Sequence, residues 1–147
     1  MSSSYVPDDS HIARHVPFSK LIRDEEGRVI GCLPAAFHLR PNEEYLSASW
    51  VEFFAGTRLE QLSKLVATVA SSRTLGAKSA FAVGNVGRIK DACERGGSRL
   101  RVIHEPELDN EAHVAVRRWP REEEQVLLGL IAADVWNEIV LTKDHRQ

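Results

Sequence analysis

The sequence predicts an α/β or α+β domain, built as a single mixed sheet of about five or six strands with three covering helices. Three observations lead to that class. Residues 58–72 carry leucines and valines at helical spacing behind a Thr57–Glu60 capping box. Short β-branched or aromatic runs recur between turn residues, at 45–54, 79–83, 100–104 and 112–116. The segment 79–104 reads as strand, helix, strand, which makes part of the sheet parallel with a right-handed crossover.

Residues 1–10 are polar and rich in Ser and Asp, the composition of a flexible tail. The globular domain is expected over residues 11–142, and residues 143–147 form a frayed C-terminus. In His11–Ile22, Pro17 interrupts any long helix, so an extended or irregular segment lying on the body is expected. Asp24-Glu25-Glu26-Gly27 suits a hairpin turn with Gly27 at positive φ. Pro34 splits Val29–Arg40 into a short strand and a second strand near Ala36–Arg40.

After the 58–72 helix, Ser79–Val83 is a buried strand and Arg88–Arg95 a short helix ending at Gly96-Gly97. Arg101–Val116 reads as strand, acidic loop, strand, because Pro106 forbids a regular ladder between the two runs. Pro120 is placed for the first turn of a last helix, and Glu122, Glu123 and Glu124 suit its positive end. Leu127, Leu130, Ile131, Val135 and Ile139 give that helix an inner face.

Composition excludes several function classes. The 147 residues are 43% hydrophobic and 27% charged with a net charge of −2, which argues against a broad nucleic-acid surface. No apolar run is long enough to span a bilayer, and residues 1–9 lack the pattern of a signal peptide. A cytoplasmic location without membrane contact follows as an expectation. Cys32 and Cys93 sit inside apolar runs and read as buried thiols; no metal site is expected and no cofactor is specified.

Four constellations carry possible chemistry. His104 and His113 flank the acidic loop, where Asp109 and Asn110 would orient a ring or bind a hydroxyl. The plain reading is an acidic hairpin with two edge histidines. Ser47 and Ser49 share one face of a strand, since their spacing is two, and Arg40 across the turn would contact an anion. A serine activated by His38, His104 or His113 would form a nucleophile–base pair, although no nucleophile-elbow pattern surrounds either serine. The plain alternative is a solvated strand face.

Gly84, Gly87 and Arg88 lie between a strand and a helix, where backbone amides attract phosphate, but they match neither standard phosphate-loop motif. A tight turn is the simpler account. His11 and His15, four apart, would share a helix face as a metal pair, a helix that Pro17 opposes.

Two functions are compatible with this pattern. One is a cytosolic accessory module of bacterial type, a subunit of a larger assembly or a homo-oligomer. It would bind a protein partner through the aromatic strand around Trp50–Phe54 or the terminal helix with Trp119 and Trp136. The alternative is a small hydrolase or transferase acting on a phosphate-bearing or nucleotide-like substrate. There His104, His113 and Ser47 would be catalytic, and Arg40, Ser49, Asn110, Gly84, Gly87 and Arg88 would bind the ligand. The two-histidine site requires both rings to meet in one concave pocket.

Overall fold

A computed structural model describes residues 4–145. The architecture is α+β, with a seven-stranded sheet, a two-stranded hairpin and three helices. The strands are β1 (Ser4–Tyr5), β2 (His11–Val16), β3 (Leu21–Arg23), β4 (Val29–Cys32), β5 (Tyr45–Trp50), β6 (Ala80–Asn85), β7 (Arg101–His104), β8 (His113–Arg117) and β9 (Glu138–Leu141). The helices are α1 (Arg58–Ser72), α2 (Val86–Arg95) and α3 (Gln125–Leu130), the last continuing as a π turn over Ile131–Val135. The large sheet runs β1-β7-β8-β5-β2-β6-β9, and β3 pairs with β4.

Every ladder in the sheet is antiparallel, which corrects the expectation of a parallel part. The strand–helix–strand unit β6-α2-β7 exists, but β8, β5 and β2 lie between its two strands. β8 follows β7 directly and pairs with it, but β5 and β2 come from distant parts of the chain, so no local pattern could have placed them.

The α1 helix has the expected boundaries. Thr57 accepts from the Glu60 amide at 3.2 Å while Glu60 accepts from the Thr57 amide at 2.9 Å. Its Leu62, Leu65, Val66 and Val69 pack on Ala13, Phe81 and Val83 of the sheet. Full burial of such side chains is worth about 1.5–3 kcal/mol each. The β3–β4 hairpin also forms, with Gly27 at φ +83°.

Elsewhere the structure departs from the expected elements. His11–Val16 is extended, as one alternative had it, but it does not lie on the outside of the body: β2 is central, with Ile12 and Val16 fully buried between β5 and β6. Residues 34–37 form a 3-10 turn that buries Phe37, in place of a strand. The described part of the expected tail, residues 4–10, includes an edge strand on β7 and the buried Val6; residues 1–3 lie outside the described residues. At the other end, residues 142–144 form a 3-10 turn in which Thr142 is buried.

The last helix stops at Val135. Trp136 donates its amide to Ile131 at 2.7 Å, a π-type bond that rotates the indole inward, and its Nε1 donates to the Ala82 carbonyl at 2.9 Å. The β-branched Ile139 and Val140 then pair with β6 instead of extending the helix.

The two faces of the sheet are covered unequally. One face holds Ile12, Leu46, Ala48, Val114 and Val116 under α2, α3 and the 34–37 turn. On the other, α1 covers the β2-β6-β9 end alone. The β8 and β5 strands on that face are left beside a cavity of about 520 Å³.

Candidate functional site

The floor of the cavity is set by register. Ser49 pairs with His113 across β5 and β8, and with Ala13 across β5 and β2. Side chains two apart on each strand therefore join them: Ser47 on β5 and His15 on β2. All four polar residues line the cavity, with Asn110 from the β7–β8 loop.

His113 is 5% exposed, and each of its ring nitrogens has a hydrogen-bond partner. Its Nδ1 lies 2.9 Å from the Glu105 carbonyl, and its Nε2 lies 3.2 Å from Ser47 Oγ. A carbonyl accepts only, so Nδ1 carries the proton. In the neutral form of the ring, Nε2 then presents a lone pair to the serine hydroxyl. The result is nucleophile, base and orienting acceptor in series. Arg117 donates twice to Glu105, at 2.9 Å each, and holds its carboxyl below the usual range.

Asn110 organises the loop above the floor. Its Nδ2 donates to Ser49 Oγ at 3.0 Å and its Oδ1 accepts from the Ala112 amide at 3.1 Å. Its backbone bridges to Glu107. The acidic residues Glu107 and Asp109 line this side of the cavity.

The opposite side is cationic. The β2–β5 ladder ends after Ala13↔Ser49, and Arg14 spans the opening beyond it. Its guanidinium donates to the Ser47 carbonyl at 2.7 Å and the Ala36 carbonyl at 2.8 Å. Burial lowers its pKa to about 10, with Arg73 and Arg40 adding repulsion and Glu43 opposing them. Arg40 and Arg73 also line the cavity, and their side chains make no hydrogen bond or ion pair among the described residues. Guanidiniums close enough to repel one another, facing a concave wall, form an anion-attracting surface.

Of the residues expected to form a site, Arg40, Ser47, Ser49, Asn110 and His113 share this cavity. His104 does not, which corrects the paired-histidine expectation. It lies opposite Val114 in the β7–β8 ladder, so its side chain leaves by the face opposite to that of His113. There it packs against Trp50 and Phe53, and its Nε2 donates to the Glu111 carbonyl at 2.7 Å.

Gly84, Gly87 and Arg88 are remote from the cavity and already committed. A Cβ on Gly84 would stand 2.9 Å from the Trp136 ring, so this glycine admits the indole. The Val86, Gly87 and Arg88 amides donate to the Ser10 carbonyl, the Asp8 carbonyl and Asn85 Oδ1. The Arg88 side chain caps the Asp134 carbonyl at 2.7 Å. A helix start whose amides are spent in this way offers no phosphate cradle.

The other constellations resolve as structure. His11 and His15 lie on a strand, where four residues extend about 13 Å, and His11 pairs with Glu52 at 2.6 Å. His38 faces Glu122 at 3.7 Å and does not meet Ser47. Cys32 and Cys93 are buried, and burial pushes their thiols up to about 11 and about 12.

Sequence reasoning did not place Arg14, His15 or Arg73 at this site; it weighed His15 only as half of a metal pair with His11. The signal for His15 was its two-residue spacing from Ala13, legible once residues 11–16 are known to be a strand. No local signal brings Arg73, the C-terminal cap of α1, to the same wall. No protein-family model, curated protein or solved structure matches the chain.

Proposed function

We propose that this chain is a small hydrolase or transferase acting on a phosphate-bearing substrate in the β2–β5–β8 cavity. The carrying observation is the Ser47–His113 hydrogen bond, oriented by the Glu105 carbonyl, beside the guanidiniums of Arg40 and Arg73, which have no partner among the described residues. In this reading Ser47 Oγ attacks phosphorus and its proton passes to His113 Nε2. The ester oxygen leaves with that proton. Water, deprotonated by the same nitrogen, then releases phosphate and restores the Ser47 hydroxyl. Arg40 and Arg73 hold the non-bridging oxygens.

The test combines turnover of aryl and nucleoside phosphate esters with mass spectrometry of Ser47. Turnover and a phosphorylated Ser47 peptide in the native chain, both lost in Ser47→Ala and His113→Ala with folding intact, support the reading. Undiminished turnover in Ser47→Ala, or failure to bind any phosphate compound, overturns it.

A docking module is the second reading, carried by the exposed Val126 and Leu130 on α3. Of the two surfaces that the sequence suggested, the terminal helix loses its indoles, because Trp119 and Trp136 are buried and Trp119 Nε1 donates to the Phe37 carbonyl at 2.6 Å, while Phe53 after the aromatic strand stays exposed. Among the described residues no helix is long and apolar enough to cross a membrane.

A further inference from the structure

The cavity contains a second histidine besides His113. His15 extends from β2 on the face that carries Ser47 and packs edge-on against Phe81, with ring centroids 5.4 Å apart. Neither of its ring nitrogens has a hydrogen-bond partner among the described residues, and Nε2 is buried. A buried polar nitrogen left without a partner is costly, and in a polar cavity a ligand oxygen is one group that satisfies it.

Its surroundings define that ligand's charge. Arg14 precedes it on β2, Arg73 comes from the end of α1, and Lys20 follows the strand. From β6 it meets the apolar Phe81, its register partner. Arg40 and Glu43 line the cavity from the loop before β5, Glu107 and Asp109 from the β7–β8 loop, and His113 from β8.

We propose that His15, Arg73 and Lys20 form a subsite for the terminal dianionic phosphate of a phosphomonoester, and that His15 takes up a proton when this group binds. The inference rests on the functional reading above and narrows it to monoesters over diesters. A dianion offers the two charges and the acceptor oxygens that a protonated ring and a guanidinium satisfy together. A diester carries one charge and a second substituent on the same phosphorus. In the free protein, burial first, then Arg73 and Arg14, hold the His15 pKa down to about 4, so the ring is neutral near neutral pH. A bound dianion reverses the repulsive part of that balance.

Inorganic sulfate is the suitable probe, because it is a dianion that does not titrate in this range. The imidazole Cε1–Hε1 signal of His15, assigned in the native chain through its proximity to the Phe81 ring, is followed by NMR against pH with and without saturating sulfate. Calorimetry in two buffers of different ionisation enthalpy counts the protons taken up. The expected result is a rise in the His15 midpoint on sulfate binding, with the protonated form binding sulfate about tenfold more tightly than the neutral form for each unit of that rise. Proton uptake should vanish in His15→Gln, and a phosphomonoester should bind about tenfold or more tightly than the matching diester.

Sulfate binding with an unmoved His15 midpoint, or equal affinity for the diester, overturns this inference and leaves the Ser47–His113 reading standing. No binding of sulfate, phosphate or ester overturns both. The NMR titration uses the native chain, so it decides the matter even if His15→Gln fails to fold.

Discussion

His113 Nε2 and Ser47 Oγ lie 3.2 Å apart although 66 residues separate them, whereas His104, on the strand that pairs with β8, points away on the opposite face. Strand parity decides this. Glu105, one residue past His104, bonds backbone to backbone with His113, so His104 and His113 are out of phase by one residue.

That phase difference separates the two histidines by experiment. His104→Ala should leave sulfate affinity within about twofold while costing roughly 1 kcal/mol of stability through lost packing on Trp50 and Phe53. His113→Ala should abolish turnover. Parallel denaturant melts and activity assays on the two variants check this, and equal loss of turnover in both would refute the one-histidine base.

Gly84→Ala tests the packing role of that glycine. A methyl 2.9 Å from the Trp136 ring forces the indole or β6 to move, at about 1–3 kcal/mol. Denaturation followed by Trp fluorescence should show the loss, with sulfate affinity unchanged in the folded fraction. A neutral substitution would contradict the close approach.

Asn110→Asp separates loop structure from cavity charge. The side chain keeps an acceptor for the Ala112 amide, and Ser49 can turn its hydroxyl to donate. The added carboxylate should weaken sulfate binding by about tenfold, with the stability change held to roughly 1 kcal/mol. Calorimetry and thermal melts read the two effects separately. Stronger anion binding would disprove the placement of Asn110 in the anion cavity.

Stability should depend on pH through His15. Its folded pKa, about 4, lies below the ordinary value of 6.5. The unfolded chain therefore binds the extra proton between these values, and stability rises with pH across that window. As pH falls from about 6.5 toward 4, stability is lost with a slope of up to one proton, and the upper part of that window lies above the range where ordinary carboxylates titrate. His15→Gln should flatten this part of the curve in denaturant melts. An unchanged slope would show that His15 is not held neutral.

Parts of this arrangement are written locally. Thr57 and Glu60 specify the start of α1 because a cap needs only neighbouring residues. Gly27 specifies its hairpin, and the loop between β7 and β8 follows from Pro106. The grouping of Ser47 with Ser49 was legible from strand alternation alone. By contrast, His11–Val16 looked like a surface segment, because its burial depends on β5 and β6, which lie far along the chain.

The sequence by itself determined the α1 helix, most of the strands, and the side-chain types that a cavity on β5 and β8 would contain. Only the tertiary structure decided which histidine meets Ser47, since a one-residue change of register exchanges the faces of a strand. It alone brought Arg14, His15 and Arg73 to the same wall. Their convergence is set by the seven-strand order and by α1 covering one end of the sheet, which are long-range packing outcomes.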